Sequence, residues 1–163
     1  MTHELPGLDV AGLAAWLARE HPELAGPGPG LTAALITGGR SNLTYRVDGA
    51  ARPLVLRRPP LGHVLSTAHD MRREHRVITA LAGTIPVPPT VAVVDDTEPG
   101  EVTGTVFFVM EHVDGAVLAR PEHNAAWTPA GLGALSVELA EVLADLHATD
   151  PAAVGLADFG RPA

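Results

Sequence analysis

Glu74 stands at a position of its segment where an apolar side chain is expected. Residues 66–83 read as one helix, with Ser66 or Thr67 as N-cap and Gly83 as the stop. Met71, Glu74, Ile78 and Leu81 follow at spacings of three and four, so they share one face and the carboxylate points inward. Burying it is costly unless a cation, hydrogen-bond donors or a proton compensate. Arg57 is the leading partner, on a predicted strand Leu54–Arg57 where it shares a face with Val55 while Leu54 and Leu56 take the other. Arg58, on the opposite face, competes for the role, and a strand-end arginine reaching into water is the ordinary alternative.

Two further features carry possible chemistry. Gly38-Gly39-Arg40-Ser41-Asn42 joins two predicted strands and could bring backbone N–H groups close to phosphates, although a plain Gly-Gly hairpin turn explains it equally. The apolar run ending in Met110-Glu111-His112-Val113-Asp114-Gly115 could offer a carbonyl and an N–H to a purine edge; an ordinary strand end is the bland reading.

The elements that must position these residues follow from periodicity and punctuation. Leu8, Leu13, Trp16 and Leu17 define a first helix capped by Asp9 and ended by His21-Pro22. Strands are expected over 31–36, 43–47, 54–57, 91–94 and 105–110, with the Glu74 helix inserted after the third. A last helix begins at Thr128-Pro129 and carries Leu132, Leu135, Leu139, Val142, Leu143 and Leu146 on one face. The order gives an α+β fold with about five antiparallel strands.

Composition narrows the function classes. The 163 residues contain no cysteine, which excludes disulfides and thiolate metal sites, and the eight histidines show no ligand spacing. A formal charge of −8 argues against a nucleic-acid partner. No run is long and apolar enough for a membrane span, and the first residues lack a signal-peptide pattern, so a cytoplasmic location is expected. All eleven Lys and Arg side chains are arginine, so any task usually given to lysine falls here to a guanidinium.

In this order the three features resemble the nucleotide-binding lobe of the aminoglycoside phosphotransferase family, a kinase-like group, and specifically the bacterial phosphotransferase enzyme family members related to a domain fused to some acyl-CoA dehydrogenases. The resemblance is carried by Gly-Gly-Arg-Ser-Asn-Leu-Thr-Tyr-Arg-Val at 38–47, Leu-Val-Leu-Arg-Arg-Pro-Pro at 54–60, Arg-Glu-His-Arg-Val-Ile at 73–78, Val-Pro-Pro at 87–89 and Phe-Val-Met-Glu-His-Val-Asp-Gly at 108–115. It implies a protein-kinase-like N-lobe over 1–113, with 1–30 as its leading helix and loop. Residues 114–163 would form a connector and the first helix of an incomplete C-lobe. It further implies that Arg57 contacts the α/β-phosphates of ATP or GTP with Glu74 as its helix partner. Gly38, Gly39, Arg40, Ser41 and Asn42 would cover the triphosphate, Glu111 and Val113 would give adenine a carbonyl and an N–H, and Met110 would back the ring. Arginine in the usual lysine position is a departure from the family pattern.

The catalytic loop of the family, His-Gly-Asp with a following asparagine, and its second metal-binding aspartate have no match here. Asp158-Phe159-Gly160 spells a magnesium-binding tripeptide, but no asparagine lies between Gly133 and Asp158, so we assign it no metal role. The expectation is therefore the donor-holding part of a phosphotransferase acting on a small-molecule hydroxyl, inactive alone, with magnesium joining only with the missing lobe. The alternative is a non-catalytic nucleotide-binding or protein-interaction module, able to form a homodimer through the apolar face of the last helix.

Overall fold

The computed structural model describes residues 5–26, 28, 30–36, 41–62, 69–118 and 120–160. The chain forms two compact units, Met1–Thr79 with Pro88–His112, and Ala80–Val87 with Val113–Ala163.

In the first unit helix α1, Val10–Glu20, starts where Asp9 accepts from the N–H groups of Ala11 and Gly12 at 2.9 and 3.0 Å. Five strands follow: β1 Thr32–Leu35, β2 Leu43–Asp48, β3 Leu54–Arg58, β4 Thr90–Asp95 and β5 Val106–Glu111. They form one antiparallel sheet in the order β1-β2-β3-β5-β4. The turn between β2 and β3 places Gly49 at φ +94°, and a Cβ on Gly26 would lie 1.7 Å from its carbonyl oxygen. That contact requires glycine at position 26: only a bare backbone fits against this turn.

Strand alternation divides the sheet into two chemically different faces. Tyr45, Val47, Leu54, Leu56, Phe107 and Val109 point toward α1 and are essentially buried, packed with Leu13, Trp16 and Leu17. Trp16 meets Phe107 edge-on, ring centroids 5.8 Å apart. Burial of side chains this size contributes roughly 1.5–3 kcal/mol each, so this face holds the sheet together. The other face carries Thr44 and Arg46 of β2, Val55 and Arg57 of β3, and Phe108 and Met110 of β5, in register.

Helix α2, Met71–Ala80, is shorter than its sequence suggests. Asp70 caps it, accepting from Arg73 N–H at 3.0 Å, so the predicted start at Ser66 or Thr67 is displaced; those two residues lie outside the described ones. Gly83, at φ +82°, stands just past the end as expected. His75 sets its ring against Phe108 at 5.9 Å, which docks α2 on the second face.

Strand β5 ends between two prolines. Glu111 N–H donates to Pro89 O at 2.8 Å and His112 N–H to Pro53 O at 3.0 Å, yet neither proline can donate back. The ladder stops there for lack of donors.

Arg58, 3% exposed, does not compete for Glu74. Its guanidinium donates to the carbonyls of Gly7, Pro59 and Thr103, while Tyr45 O–H donates to Pro6 O, and together they tie the N-terminal segment to the sheet. Asp96 is buried too; its carboxylate accepts from the N–H groups of Glu101, Val102, Thr103 and Gly104 and organises the β4–β5 loop. Burial alone would raise its pKa, but these four bonds outweigh it and hold the carboxyl below the usual range.

The second unit is dominated by α3, Pro129–Ala148, with Thr128 accepting from Gly131 N–H at 3.1 Å. The predicted cap and first-position proline are both in place. The predicted inward stripe is not: no α3 residue is buried, and Leu139 and Leu143 are 68% and 49% exposed.

Candidate functional site

Alternation along β3 leaves Arg57 on the α2 face, where it reaches Glu74 with Nε to Oε2 at 2.7 Å. Both side chains are 34% exposed, so Glu74 is not the buried charge its apolar stripe predicts. The correction has a plain cause. The helix starts late and Glu74 lies in its first turn, at the rim of the packed face rather than its middle.

The second carboxylate oxygen is also engaged. Asn42 Nδ2 donates to Glu74 Oε1 at 2.8 Å, and Asn42 Oδ1 lies 2.6 Å from Nδ1 of His69. On the other side Arg57 Nη1 faces Thr44 Oγ1 at 3.4 Å, the residue directly across β2. Five side chains, Asn42, Thr44, Arg57, His69 and Glu74, are thus joined in one hydrogen-bonded row that includes a carboxylate and a guanidinium. The arrangement leaves a held cation on a solvent-reachable sheet face, chemically suited to an anionic ligand.

The remaining predicted residues are placed as follows. Ser41 is exposed beside Asn42, and Gly38, Gly39 and Arg40 lie outside the described residues. Met110 is half-buried opposite Val55, on the same face as Arg57 and two β3 positions away. Glu111 pairs its side chain with Arg52 at 2.8 Å. Because Pro89 lacks an N–H, the carbonyl of Glu111 has no reciprocal ladder donor from that residue. Val113 begins the second unit and is 61% exposed. Sequence reasoning missed His69 and Thr44. Strand pairing could have suggested Thr44, whereas His69 sits outside the helix and follows no period. Among the described residues no three His, Asp or Glu side chains cluster as a metal site, and no helix is long and apolar enough to cross a membrane.

A five-stranded antiparallel sheet with an inserted helix whose glutamate holds a β3 cation defines a kinase-like phosphotransferase fold. The sequence profile of the phosphotransferase enzyme family matches residues 32–163, and the chain belongs to that family. It is 36% identical over 124 residues to mouse acyl-CoA dehydrogenase family member 10, covering 76% of this chain and 11% of that protein. Human acyl-CoA dehydrogenase family member 11 is 36% identical over 131 residues, 80% of this chain and 16% of its own length. The chain therefore spans less than a fifth of either relative. Among solved structures, one from Ralstonia eutropha, provisionally described as an aminoglycoside phosphotransferase, superposes with a TM-score of 0.72 at 33% identity, over 95% of this chain and 43% of that one. Aminoglycoside phosphotransferase APH(4)-Ia, solved in a ternary complex with AMP-PNP and hygromycin B, shares the fold at TM-score 0.53 and 18% identity, over 86% of this chain and 40% of its own.

Proposed function

We propose that this chain is the nucleotide-holding part of an ATP-dependent phosphotransferase that acts on a small-molecule hydroxyl. The observation that carries the reading is the 2.7 Å Arg57–Glu74 contact, which fixes a cation on the open sheet face. Glu74 takes the Nε edge of the guanidinium, and the terminal nitrogens extend toward the α/β-phosphates of the donor. On the first unit, the end of β5 suits adenine: the Glu111 carbonyl, deprived of a ladder donor by Pro89, accepts from the exocyclic amine, and Val55 and Met110 supply apolar surface. The segment carrying Ser41 and Asn42 is the one we assign to the phosphates. ATP and GTP differ at the position facing the Glu111 carbonyl, where GTP presents an acceptor, so ATP is preferred.

Transfer itself requires an acceptor-orienting aspartate and magnesium ligands, which these 163 residues do not supply in the family's pattern. The chain alone binds a donor without consuming it. The experiment is an isothermal titration of the chain with ATP, GTP and adenosine, paired with an assay for ATP hydrolysis. ATP binding without turnover is expected, and failure to bind any nucleotide refutes the reading.

The exposed Val137, Leu139, Leu143 and Leu146 of α3 favour a second reading, a protein-interaction module. Sedimentation over a hundredfold concentration range decides between them, since self-association without nucleotide binding supports the module.

A further inference from the structure

We propose that His69 and Asn42 form a positioning bridge that sets the orientation of the Arg57–Glu74 pair. The Asn42 side chain then acts on the carboxylate rather than on a phosphate. The consequence for ligand binding rests on the nucleotide reading above; the bridge itself does not.

The direction of every hydrogen bond in the bridge follows from the chemistry of its atoms. A carboxylate oxygen only accepts, so the Asn42 group facing Glu74 Oε1 at 2.8 Å is the amide N–H. The amide oxygen therefore faces His69 Nδ1 at 2.6 Å, and because that oxygen also only accepts, His69 carries its hydrogen on Nδ1. The row reads His69 Nδ1–H to Asn42 Oδ1, Asn42 Nδ2–H to Glu74 Oε1, and Arg57 Nε–H to Glu74 Oε2.

Each link removes one freedom. The terminal torsion of a glutamate is broad, so Arg57 by itself leaves the carboxylate plane free to swing. Asn42, approaching the other oxygen from the loop before β2, fixes that plane. The terminal torsion of asparagine is equally broad, and His69 fixes it in turn. His69 is well anchored for this task, one residue before Asp70, whose side chain caps α2. The bridge thus ties the segment entering β2, the segment entering α2 and strand β3 to one guanidinium. Hydrogen bonds in such a row polarise one another, so losing the far end weakens the near one.

The test uses the full chain labelled with ¹⁵N-arginine, reading solvent exchange of Arg57 Nε–H by NMR in the absence of ligand and ATP affinity separately by titration. His69→Ala and Asn42→Ala are expected to quicken Arg57 exchange and lower ATP affinity by about three- to tenfold. Thermal midpoints should be unchanged. His69→Asn, whose amide N–H falls where Nδ1 stood, restores both readings. Should alanine unfold the chain, His69→Phe keeps the ring and removes the donor. An Arg57 signal that ignores loss of the His69 donor overturns the bridge, and if ATP still binds, the nucleotide reading survives it. A responsive Arg57 signal in a chain that binds no ATP supports the bridge and refutes the nucleotide reading instead.

Discussion

Arg57 and Glu74 meet through Nε and Oε2 at 2.7 Å, so the guanidinium is held by its inner edge while Nη1 turns to Thr44 at 3.4 Å. This geometry separates two jobs on one side chain. The inner edge is structural, and the outer end is presented to the open sheet face. Since both partners are 34% exposed, the pair contributes little to stability.

Glu74→Gln accordingly tests aim against stability. The amide cannot accept from Arg57 and Asn42 with a full charge, and ATP affinity should fall about tenfold while the thermal midpoint moves by less than about 3 °C. Calorimetric titration and a thermal melt measure the two quantities, and unchanged affinity removes Glu74 from the site.

The two adjacent arginines of β3 should behave oppositely. Arg58→Met strands the partly buried carbonyls of Gly7, Pro59 and Thr103 and should cost about 2–3 kcal/mol by urea denaturation. Arg57→Met should cost less than about 1 kcal/mol, because water replaces its partners. Equal losses would contradict the assigned roles.

Asp96 makes an acid-sensitive latch. Its four backbone donors hold its pKa below the unfolded value near 3.8, so its contribution is present above that pH and disappears as pH falls through the folded value. Stability measured from pH 7 to pH 2 should decline below about pH 4 in the wild type, and Asp96→Asn should be less stable at pH 7 with a flatter acid limb. A variant with the wild-type slope sinks the assignment.

His75 acts at a higher pH. Burial against Phe108 leaves its Nε2 without a hydrogen-bond partner and lowers its pKa from 6.5. The unfolded chain then takes up the proton more readily, so this stability is complete above about pH 6.5 and is lost as pH falls through the lowered value. His75→Phe should narrow the difference in melting temperature between pH 7.5 and pH 5; an undiminished difference would show that other groups cause it.

Much of this fold was legible as pattern. Asp9 and Thr128 cap their helices because a side-chain acceptor beside a period-3.6 run acts locally. The alternation in Leu54–Arg58 was enough to separate Arg57 from Leu54 and Leu56. The α2 start was placed too early because the capping role of Asp70, which accepts from Arg73 N–H, carries no mark in the apolar period of the helix. The α3 stripe shows periodicity without burial, since a repeat marks which side chains can be covered and not what covers them.

The α+β order and the two faces of β3 can be read from the residues alone, because both depend on near neighbours and fixed periods. Folding in three dimensions brings Arg57 rather than Arg58 to Glu74, commits Arg58 to three carbonyls, and adds Asn42 and, through it, His69 to the carboxylate. Those choices join residues up to 32 positions apart for the carboxylate and up to 51 apart for Arg58. At such separations the sheet register and the docking of α2 set the distance, and no local period reports it.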